Sequence, residues 1–444
     1  MDLINLIPSF GNLLFTIGAF VLALIVIISI HEYGHYIVGR WSGIHAEVFS
    51  LGFGPVVWSR VDKRGTKWQV AAIPFGGYVK FLGDADAASG KDSDGMGAMS
   101  DEEKRHTMHG APLWARAATV AAGPVFNFIL SIIVFSAIIG WRGIATDPLT
   151  VADLRPTPVE NGLMVGDEVL AIAGLTTPEL ESFEGYADSL PVIPVIDYLV
   201  RRDGAELTVS GPYPYPPMVV GLAPGSAAID ADMKVGDVIT DVDGVSVFAF
   251  TQLQEIVLAS DGNELALTVW REGEVIDLNL TPRKTDLPLP EGGFETRLLI
   301  GITGGMLFEP QTATPGVFET LGYGVDQTYF IIKSSISGLY HVIVGSISSC
   351  NLRGPVGIAQ TSGEAASQGA LSFIWFIAVL STAVGLLNLF PIPILDGGHL
   401  VFHAYEAVAG RPPSDRALRI LMGTGLALIL TLMVFALSND FFCP

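Results

Sequence analysis

The sequence predicts a polytopic α-helical membrane protein with four transmembrane helices, a membrane-associated β region and two tandem α+β domains. Half of the 444 residues are hydrophobic and only 16% are charged, well below the roughly 25% of soluble domains. Four apolar stretches reach the roughly 20 residues that span a bilayer. The long segment between the second and third stretches contains two similar β-rich units.

Apolar runs define the membrane helices, and alternating or turn-rich segments define the other elements. We assign, in order, a first transmembrane helix at 1–36, a β region at 37–82, a polar loop at 83–111, a second transmembrane helix at 112–141, α+β domains at 145–214 and 217–284, a linker with amphipathic helices at 285–368, a third transmembrane helix at 369–400, a loop at 401–416 and a fourth transmembrane helix at 417–438.

The distribution of Lys and Arg predicts the orientation of these helices. Residues 40–116 contain ten of them, whereas the longer stretch 143–320 contains eight. Loops rich in Lys and Arg stay in the cytoplasm, so both termini and the two domains are expected outside. The first apolar run lacks a basic start and a cleavage site, so we expect it to remain as a membrane helix.

The acidity of the chain excludes one class of partner. Residues 143–320 contain 28 Asp and Glu against eight Lys and Arg, which accounts for most of the net charge of −21. A strongly negative surface repels phosphate, so no nucleic-acid partner is expected. Because the charges are evenly spread, we interpret them as a solvated surface rather than as a binding site.

The HExxH motif at 31–35 ends the first apolar run. Residues four apart share a helix face, so His31 and His35 can bind one metal ion while Glu32 lies beside it as a general base. HExxH also arises by chance on amphipathic helices, with His on the surface. Ionisable residues at membrane depth cost roughly 2.5–3.5 kcal/mol each, which favours the functional interpretation of one Zn²⁺ per chain.

Asp396 is the candidate for the third metal ligand. It follows a hydrophobic helix and is the only acidic residue between 371 and 405. Together with His31 and His35 it makes three protein ligands and leaves a fourth position open, as in catalytic zinc sites. A carboxylate that merely caps a helix is the alternative.

The two α+β domains repeat one pattern. The Val-Gly-Asp segment that begins at Gly162 matches the segment that begins at Asp232, 70 residues later, and each copy runs into a predicted strand pair. The order of elements resembles the circularly permuted PDZ modules of bacterial envelope proteases. PDZ domains bind extended peptides along a sheet edge. Peptide binding and simple steric gating both remain open.

A second resemblance covers nearly the whole chain. HExxH in the first membrane helix and Asn-x-x-Pro-x-Pro-x-Leu-Asp-Gly at 388–397 resemble the site-2 protease family of intramembrane metalloproteases. The resemblance implies a zinc endopeptidase of a bacterial inner membrane, surrounded by lipid, with HExxH near the cytosolic side. Its substrates would be single-span membrane proteins, such as an anti-sigma factor already cut on its outer side, and remnant signal peptides.

Substrate contacts are predicted at three residues. A helical substrate hides its carbonyls in internal hydrogen bonds, so it must be unwound and held extended. The strands of the 37–82 region are candidates for holding it, with Gly52 and Gly54 nominated, although these glycines could serve only turn geometry. The amide of Asn388 can both donate to and accept from an extended backbone.

Several polar residues have two interpretations. Asn127, in the second membrane helix, supports the metal site or bonds across helices. Cys350 and Cys443 are both expected on the outer face, where they pair or remain free thiols. His399 and His403 have ligand spacing, but a second metal is not expected because no carboxylate lies between them.

Two other functions fit parts of the sequence. A membrane-anchored zincin that cuts soluble proteins would need a downstream Glu ligand, and Asp396 is better placed than any such Glu. An inactive scaffold that presents peptides on its two domains would not need an intact Glu32. Both are therefore less favoured than an intramembrane protease.

Overall fold

The computed structural model describes residues 10–85, 93–179, 183–187, 189–289 and 293–443. The chain forms two compact units. One, here called the membrane unit, comprises Met1–Ile138, Leu321–Ile343 and Ser349–Pro444. The other, here called the insert unit, comprises Ile139–Thr320 and Val344–Ser348.

Long helices dominate the membrane unit, and strands dominate the insert unit. The helices are α1 (Phe10–Trp41), α2 (Ser93–Gly97), α3 (Asp101–Lys104), α4 (Leu113–Arg142), α5 (Phe183–Ala187), α6 (Ala227–Asp230), α7 (Phe250–Ala259), α8 (Val317–Ile343), α9 (Pro355–Ser367), α10 (Ala370–Asn388), α11 (Asp396–Ala409) and α12 (Asp415–Phe442). The strands are β1 (Ala46–Val61), β2 (Lys67–Phe81), β3 (Ile144–Ala145), β4 (Val151–Leu154), β5 (Glu168–Ile172), β6 (Leu175–Thr176), β7 (Ile196–Arg202), β8 (Ala205–Gly211), β9 (Gly221–Leu222), β10 (Val238–Val242), β11 (Val245–Ser246), β12 (Leu265–Arg271), β13 (Glu274–Leu280), β14 (Arg283–Pro288), β15 (Phe294–Leu299), β16 (Ile302–Thr303), β17 (Phe308–Pro310) and β18 (Thr312–Ala313).

Among the described residues, four helices are long and apolar enough to cross a membrane, which confirms the predicted number. They include Leu13–Trp41, Leu113–Arg142, Ala370–Asn388 and Arg416–Phe442. The third ends at Asn388 rather than at the predicted residue 400. Pro391 and Pro393 follow it, and proline cannot continue the helical hydrogen-bond ladder.

The predicted β region folds as a bent sheet of β1 and β2. Leu51 in β1 aligns with both Gly77 and Val70, because the two ends of β2 lie on opposite sides of the first half of β1. The last part of β2, residues 77–81, pairs only with β1 among the described strands, so no strand covers its other edge, although the Phe81 N–H already donates to Asp84 Oδ2 at 2.9 Å. An open strand edge can accept another extended chain.

The insert unit contains two four-stranded sheets with equivalent strand order. The first runs β6-β5-β7-β8 and the second runs β11-β10-β12-β13. Each sheet covers its own hydrophobic core, which includes Tyr198 in the first and Val269 in the second. The sequence repeat therefore corresponds to a repeat of α+β structure.

Strands that follow the second sheet complete both repeats. β16 pairs with β9 of the second repeat, and β17 pairs with β4 of the first. Leu307 and Phe308 are buried in the core of the first repeat. Residues 294–310, predicted as part of the linker, thus belong to the folded insert. β16 and β17 are two and three residues long and pair with distant partners, so no local pattern marks their place.

The same buried ion pair is present in both repeats. Asp167 accepts two hydrogen bonds of 2.7 Å from Arg202, and Asp237 accepts two of 2.7 Å from Arg271. Both carboxylates are fully buried. The Asp of each Val-Gly-Asp segment therefore ties the turn before one strand to the end of the next, which explains why the repeat retains it.

The end of α12 is attached to the segment before α9. Cys350 and Cys443 form a disulfide, with their Cα atoms 5.6 Å apart. Asp440 accepts hydrogen bonds from the backbone N–H groups of Gly354 (2.7 Å) and Val356 (3.1 Å). These contacts cap the start of α9, which packs along α1.

We expect Asp167→Asn to lower the unfolding free energy of the first repeat by about 2 kcal/mol, because Arg202 loses its buried carboxylate. Backbone amides of β7 should then exchange with deuterium roughly 30-fold faster in the full-length protein. Asp203→Asn is the matched control, since Asp203 is exposed at a φ of +51° that Asn tolerates. Equal exchange rates in both variants would contradict the assignment.

The same ion pair predicts a pH dependence. Burial acts to raise the pKa of Asp167, but hydrogen bonds from Arg202 and from the Met164 N–H outweigh it and hold the pKa below its ordinary 3.8. The stabilisation is therefore complete above the ordinary pKa and is lost as the pH falls through the lowered one. Protection of the β7 backbone amides from hydrogen exchange, corrected for the intrinsic exchange rate at each pH, should fall in the native protein as the pH drops below 3.8. The protection in Asp167→Asn should change less over the same pH interval.

Candidate metal centre

Close packing of α1 against α4 sets the position of the HExxH motif. A Cβ on Gly34 would overlap the backbone of Ala122, and a Cβ on Gly123 would overlap the rings of His31 and His35. The two helices can approach this closely only because both positions lack a side chain. The imidazoles of His31 and His35 therefore lie directly against the α4 backbone.

Asp396 reaches the same place through the break between α10 and α11. Pro391 and Pro393 end the regular helix, and α11 begins at Asp396 itself. A Cβ on Gly397 or Gly398 would overlap backbone atoms of residues 389–393. The two glycines after Asp396 are thus needed for the compact turn that directs its carboxylate toward α1.

The three predicted ligand atoms form a compact cluster. The Nε2 atoms of His31 and His35 are 3.2 Å apart, and Asp396 Oδ2 lies 3.2 Å from the first and 3.5 Å from the second. Donor atoms bound about 2.0–2.1 Å from a tetrahedral zinc ion lie about 3.3–3.4 Å apart. Asp396 Oδ2 is also buried without a hydrogen bond. The residues therefore fit a zinc ion.

The outer ring nitrogens of both histidines also contact α4. His35 Nδ1 lies 2.8 Å from the carbonyl oxygen of Thr119. His31 Nδ1 lies 3.2 Å from the side-chain amide of Asn127, which is fully buried. In metal sites such contacts orient the ligands.

Glu32 lies between the histidines and the open edge of β2. A backbone hydrogen bond from Val79 reaches its carboxylate. A Cβ on Gly77 would come within 3.0 Å of Glu32 Cγ. The β2 backbone therefore passes directly beside the predicted general base.

A cavity of about 290 Å³ opens on these residues. Asn388 lines it, with its Nδ2 donating to the Val384 carbonyl at 3.0 Å. Gly52 and Gly54 do not line it; their φ values of +91° and +84° allow the bend in β1. The structure therefore brings Asn388, but neither of these glycines, to the metal centre.

The cavity lining includes residues that sequence reasoning missed. No sequence motif assigns a role to Gly77, His109 or Arg116. His109 lies 3.2 Å from the buried Asp84, and Arg116 makes hydrogen bonds of 2.7 and 3.0 Å to Glu406 in α11. The one available signal was a charged residue, Arg116, near the start of an apolar helix.

At neutral pH, His403 and Glu406 of α11 each have one defined protonation state. Burial, assisted by the nearby Arg116 guanidinium, lowers the pKa of His403 to about 4, so its ring is neutral. Hydrogen bonds from Arg116 hold the pKa of Glu406 below its ordinary range. The Arg116 and Glu406 pair thus joins α4 to α11. Among the described residues, only His31, His35 and Asp396 group as a metal site.

Comparisons with known proteins identify the family. The model of peptidase family M50 matches residues 19–432. A protein named "Putative zinc metalloprotease" of Agrobacterium fabrum is 36% identical over 98% of both chains. A similarly named protein of Rhizobium meliloti is 35% identical over 97% of both chains. The regulator of sigma-E protease RseP of Salmonella typhimurium is 31% identical over 97% of this chain and 99% of its own.

The family model and these relatives cover almost the entire chain, including both halves of the metal centre. They confirm the predicted resemblance and the predicted zinc cofactor. The apolar helices agree with a position in the inner membrane. The chain therefore belongs to peptidase family M50, the site-2 proteases, and is a zinc metalloprotease.

Proposed function

We propose that this protein is an intramembrane endopeptidase that cuts the transmembrane segments of single-span membrane proteins. One observation carries the proposal. His31, Glu32 and His35 lie within a helix of membrane-spanning length and converge with Asp396 on one cavity. Peptide hydrolysis at this place acts on a chain that is itself in the membrane.

The residues of the cavity support hydrolysis by general acid–base catalysis. When bound by His31, His35 and Asp396, zinc supplies a Lewis acid that polarises a peptide carbonyl and makes water more acidic. Glu32 accepts the proton of the attacking water and delivers it to the departing amine. The Val79 N–H holds the Glu32 carboxylate in place for both transfers.

The open edge of β2 is the proposed holder of the unwound substrate. An extended chain that pairs with residues 77–80 continues the sheet by main-chain hydrogen bonds to the groups left there, since the N–H groups of Val79 and Phe81 already donate to Glu32 and Asp84. Gly77 lets that chain pass close to Glu32 because no side chain intervenes. Asn388 Nδ2 donates a hydrogen bond to the Val384 carbonyl, which leaves the amide oxygen of Asn388 to accept a substrate N–H. Gly52 and Gly54 contribute only through the bend of β1.

The name of the Salmonella relative points to a substrate class. We propose an anti-sigma factor, already cut on its outer side, and remnant signal peptides as substrates. We propose that the two repeats of the insert unit are PDZ-like domains. The repeats and both termini would lie on the periplasmic side, and HExxH would lie near the cytosol. The repeats would exclude untrimmed proteins or bind a trimmed end.

Exposed apolar residues of α8, including Phe318 and Tyr329, would contact lipid.

Glu32→Gln tests the catalytic assignment. In liposomes with a model single-span substrate, we expect at least about a 100-fold loss of cleavage, because the amide cannot accept the proton from water. Bound zinc, measured by mass spectrometry of the metal, should remain near one per chain since the three ligands are intact. Cleavage at the native rate by this variant would exclude Glu32 as the base.

Gly123→Ala tests whether close packing of α4 forms the metal centre. Its Cβ would overlap both imidazoles, so we expect zinc binding to weaken by about 10-fold or more. Gly18→Ala, in α1, is the control, since a Cβ there meets nothing within 4 Å. Competition with a chelator measures both affinities. Unchanged affinity in Gly123→Ala would mean that the helices do not pack as described.

Substrate length tests the role of the insert unit. If the two repeats act as a size filter, fusing a folded domain to the outer end of the model substrate should reduce cleavage about tenfold or more. Removal of that domain by a site-specific protease should restore it. Equal cleavage of both substrates would show that the insert does not exclude by size, and would leave peptide binding as its function.

A further inference from the structure

We propose that Asn127 is a positioning residue of the zinc centre. Its side-chain carbonyl accepts a hydrogen bond from His31 Nδ1–H and thereby fixes the ring tautomer that leaves Nε2 free for the metal. Sequence reasoning alone could not separate this role from a simple contact between helices. The structure separates the two roles, because the backbone carbonyl of Asn127 contacts α10 and its side-chain amide contacts His31.

The direction of the histidine rings sets the requirement. His31 Nε2 and His35 Nε2 both face Asp396 Oδ2, at 3.2 and 3.5 Å. A neutral imidazole that offers Nε2 to a metal carries its proton on Nδ1, so each Nδ1 needs an acceptor. The carbonyl oxygen of Thr119 serves His35 at 2.8 Å. His31 Nδ1 faces the Asn127 amide, whose Nδ2 is placed 3.2 Å away, so the amide must be turned over to offer its oxygen as the acceptor.

The amide orientation follows from this requirement. The oxygen and nitrogen of an Asn side chain are assigned from the surrounding hydrogen bonds. His31 is the one recorded partner of the Asn127 amide among the described residues, because the other amide atom is buried without a hydrogen bond. His31 therefore decides the orientation of the Asn127 amide. When a metal ion binds His31 Nε2, the proton is on His31 Nδ1, and Asn127 Oδ1 must face it.

The helix contact uses a different part of Asn127. Its backbone carbonyl accepts hydrogen bonds from Ser131 Oγ and from Ser381 Oγ of α10, both at 3.0 Å. A Cβ on Gly385 would lie 3.1 Å from the Asn127 Cβ, so α10 packs against this point of α4. The backbone joins the helices, and the side chain is left to orient His31.

This division of roles gives matched variants. Asn127→Ala removes the acceptor for His31 but leaves the backbone carbonyl that Ser381 binds. Ser381→Ala removes the hydrogen bond from α10 but leaves the amide. Asn127→Asp has nearly the same shape and can only accept, so it retains the proposed interaction and abolishes any donation to His31.

The test is zinc affinity of the full-length protein in detergent, measured by competition with a chromogenic chelator, together with the unfolding temperature of each zinc-free variant. We expect Asn127→Ala to bind zinc 10- to 100-fold more weakly. Asn127→Asp should stay within about threefold of the native affinity or exceed it. Ser381→Ala should bind zinc as the native protein does, although its unfolding temperature falls.

Three results would overturn the proposal. Native affinity in Asn127→Ala would show that His31 needs no such acceptor. Equal loss of zinc in Asn127→Asp and Asn127→Ala would show that the amide donates rather than accepts. Equal loss in Ser381→Ala and Asn127→Ala would assign the effect to helix packing. Should Asn127→Ala not fold, the affinity of Asn127→Asp decides between acceptance and donation.

Discussion

The structure depends on three polar atoms that must lie close together inside a bundle of apolar helices. Two imidazole nitrogens and a carboxylate oxygen lie 3.2 to 3.5 Å apart, and Asp396 Oδ2 has no hydrogen bond. A buried carboxylate is costly unless a cation balances it. A zinc ion bound by these three residues would supply that balance, and α1, α4 and α11 must approach closely to form such a site.

The approach depends on positions where a side chain is absent or the helix is interrupted. Gly34 and Gly123 bring α1 and α4 together, and Gly397 and Gly398 allow the turn after α10. Irregular backbone is tolerated at membrane depth only where protein or water satisfies its polar groups. The break that delivers Asp396 also lines the cavity, so one interruption provides both a candidate metal ligand and part of the cavity wall.

The insert unit shows how a duplicated sequence can form an interdependent structure. The two repeats share strand order and a buried Asp–Arg pair, yet each is completed by strands from residues 302–310. The first repeat therefore closes only after the second has been made. A cut at the sequence boundary between the repeats would remove Leu307 and Phe308 from the first core.

Local pattern in the sequence determined the membrane helices, the candidate metal ligands and the duplication. Apolar runs, HExxH and the Asp396 motif are recognisable without neighbours, because a helix places residues four apart on one face and lipid excludes unpaired charge. The sequence also identified the two cysteines that form the disulfide, but it left their pairing open.

Only tertiary structure decided which polar groups meet. The partners Arg116 and Glu406, Asn127 and His31, and the last strands of the insert come together through contacts between residues far apart in sequence. Gly77, rather than Gly52 or Gly54, lies beside Glu32 because the bend of β1 and β2 sets which edge is open. Such contacts depend on how elements pack, and no periodicity along a single segment records that arrangement.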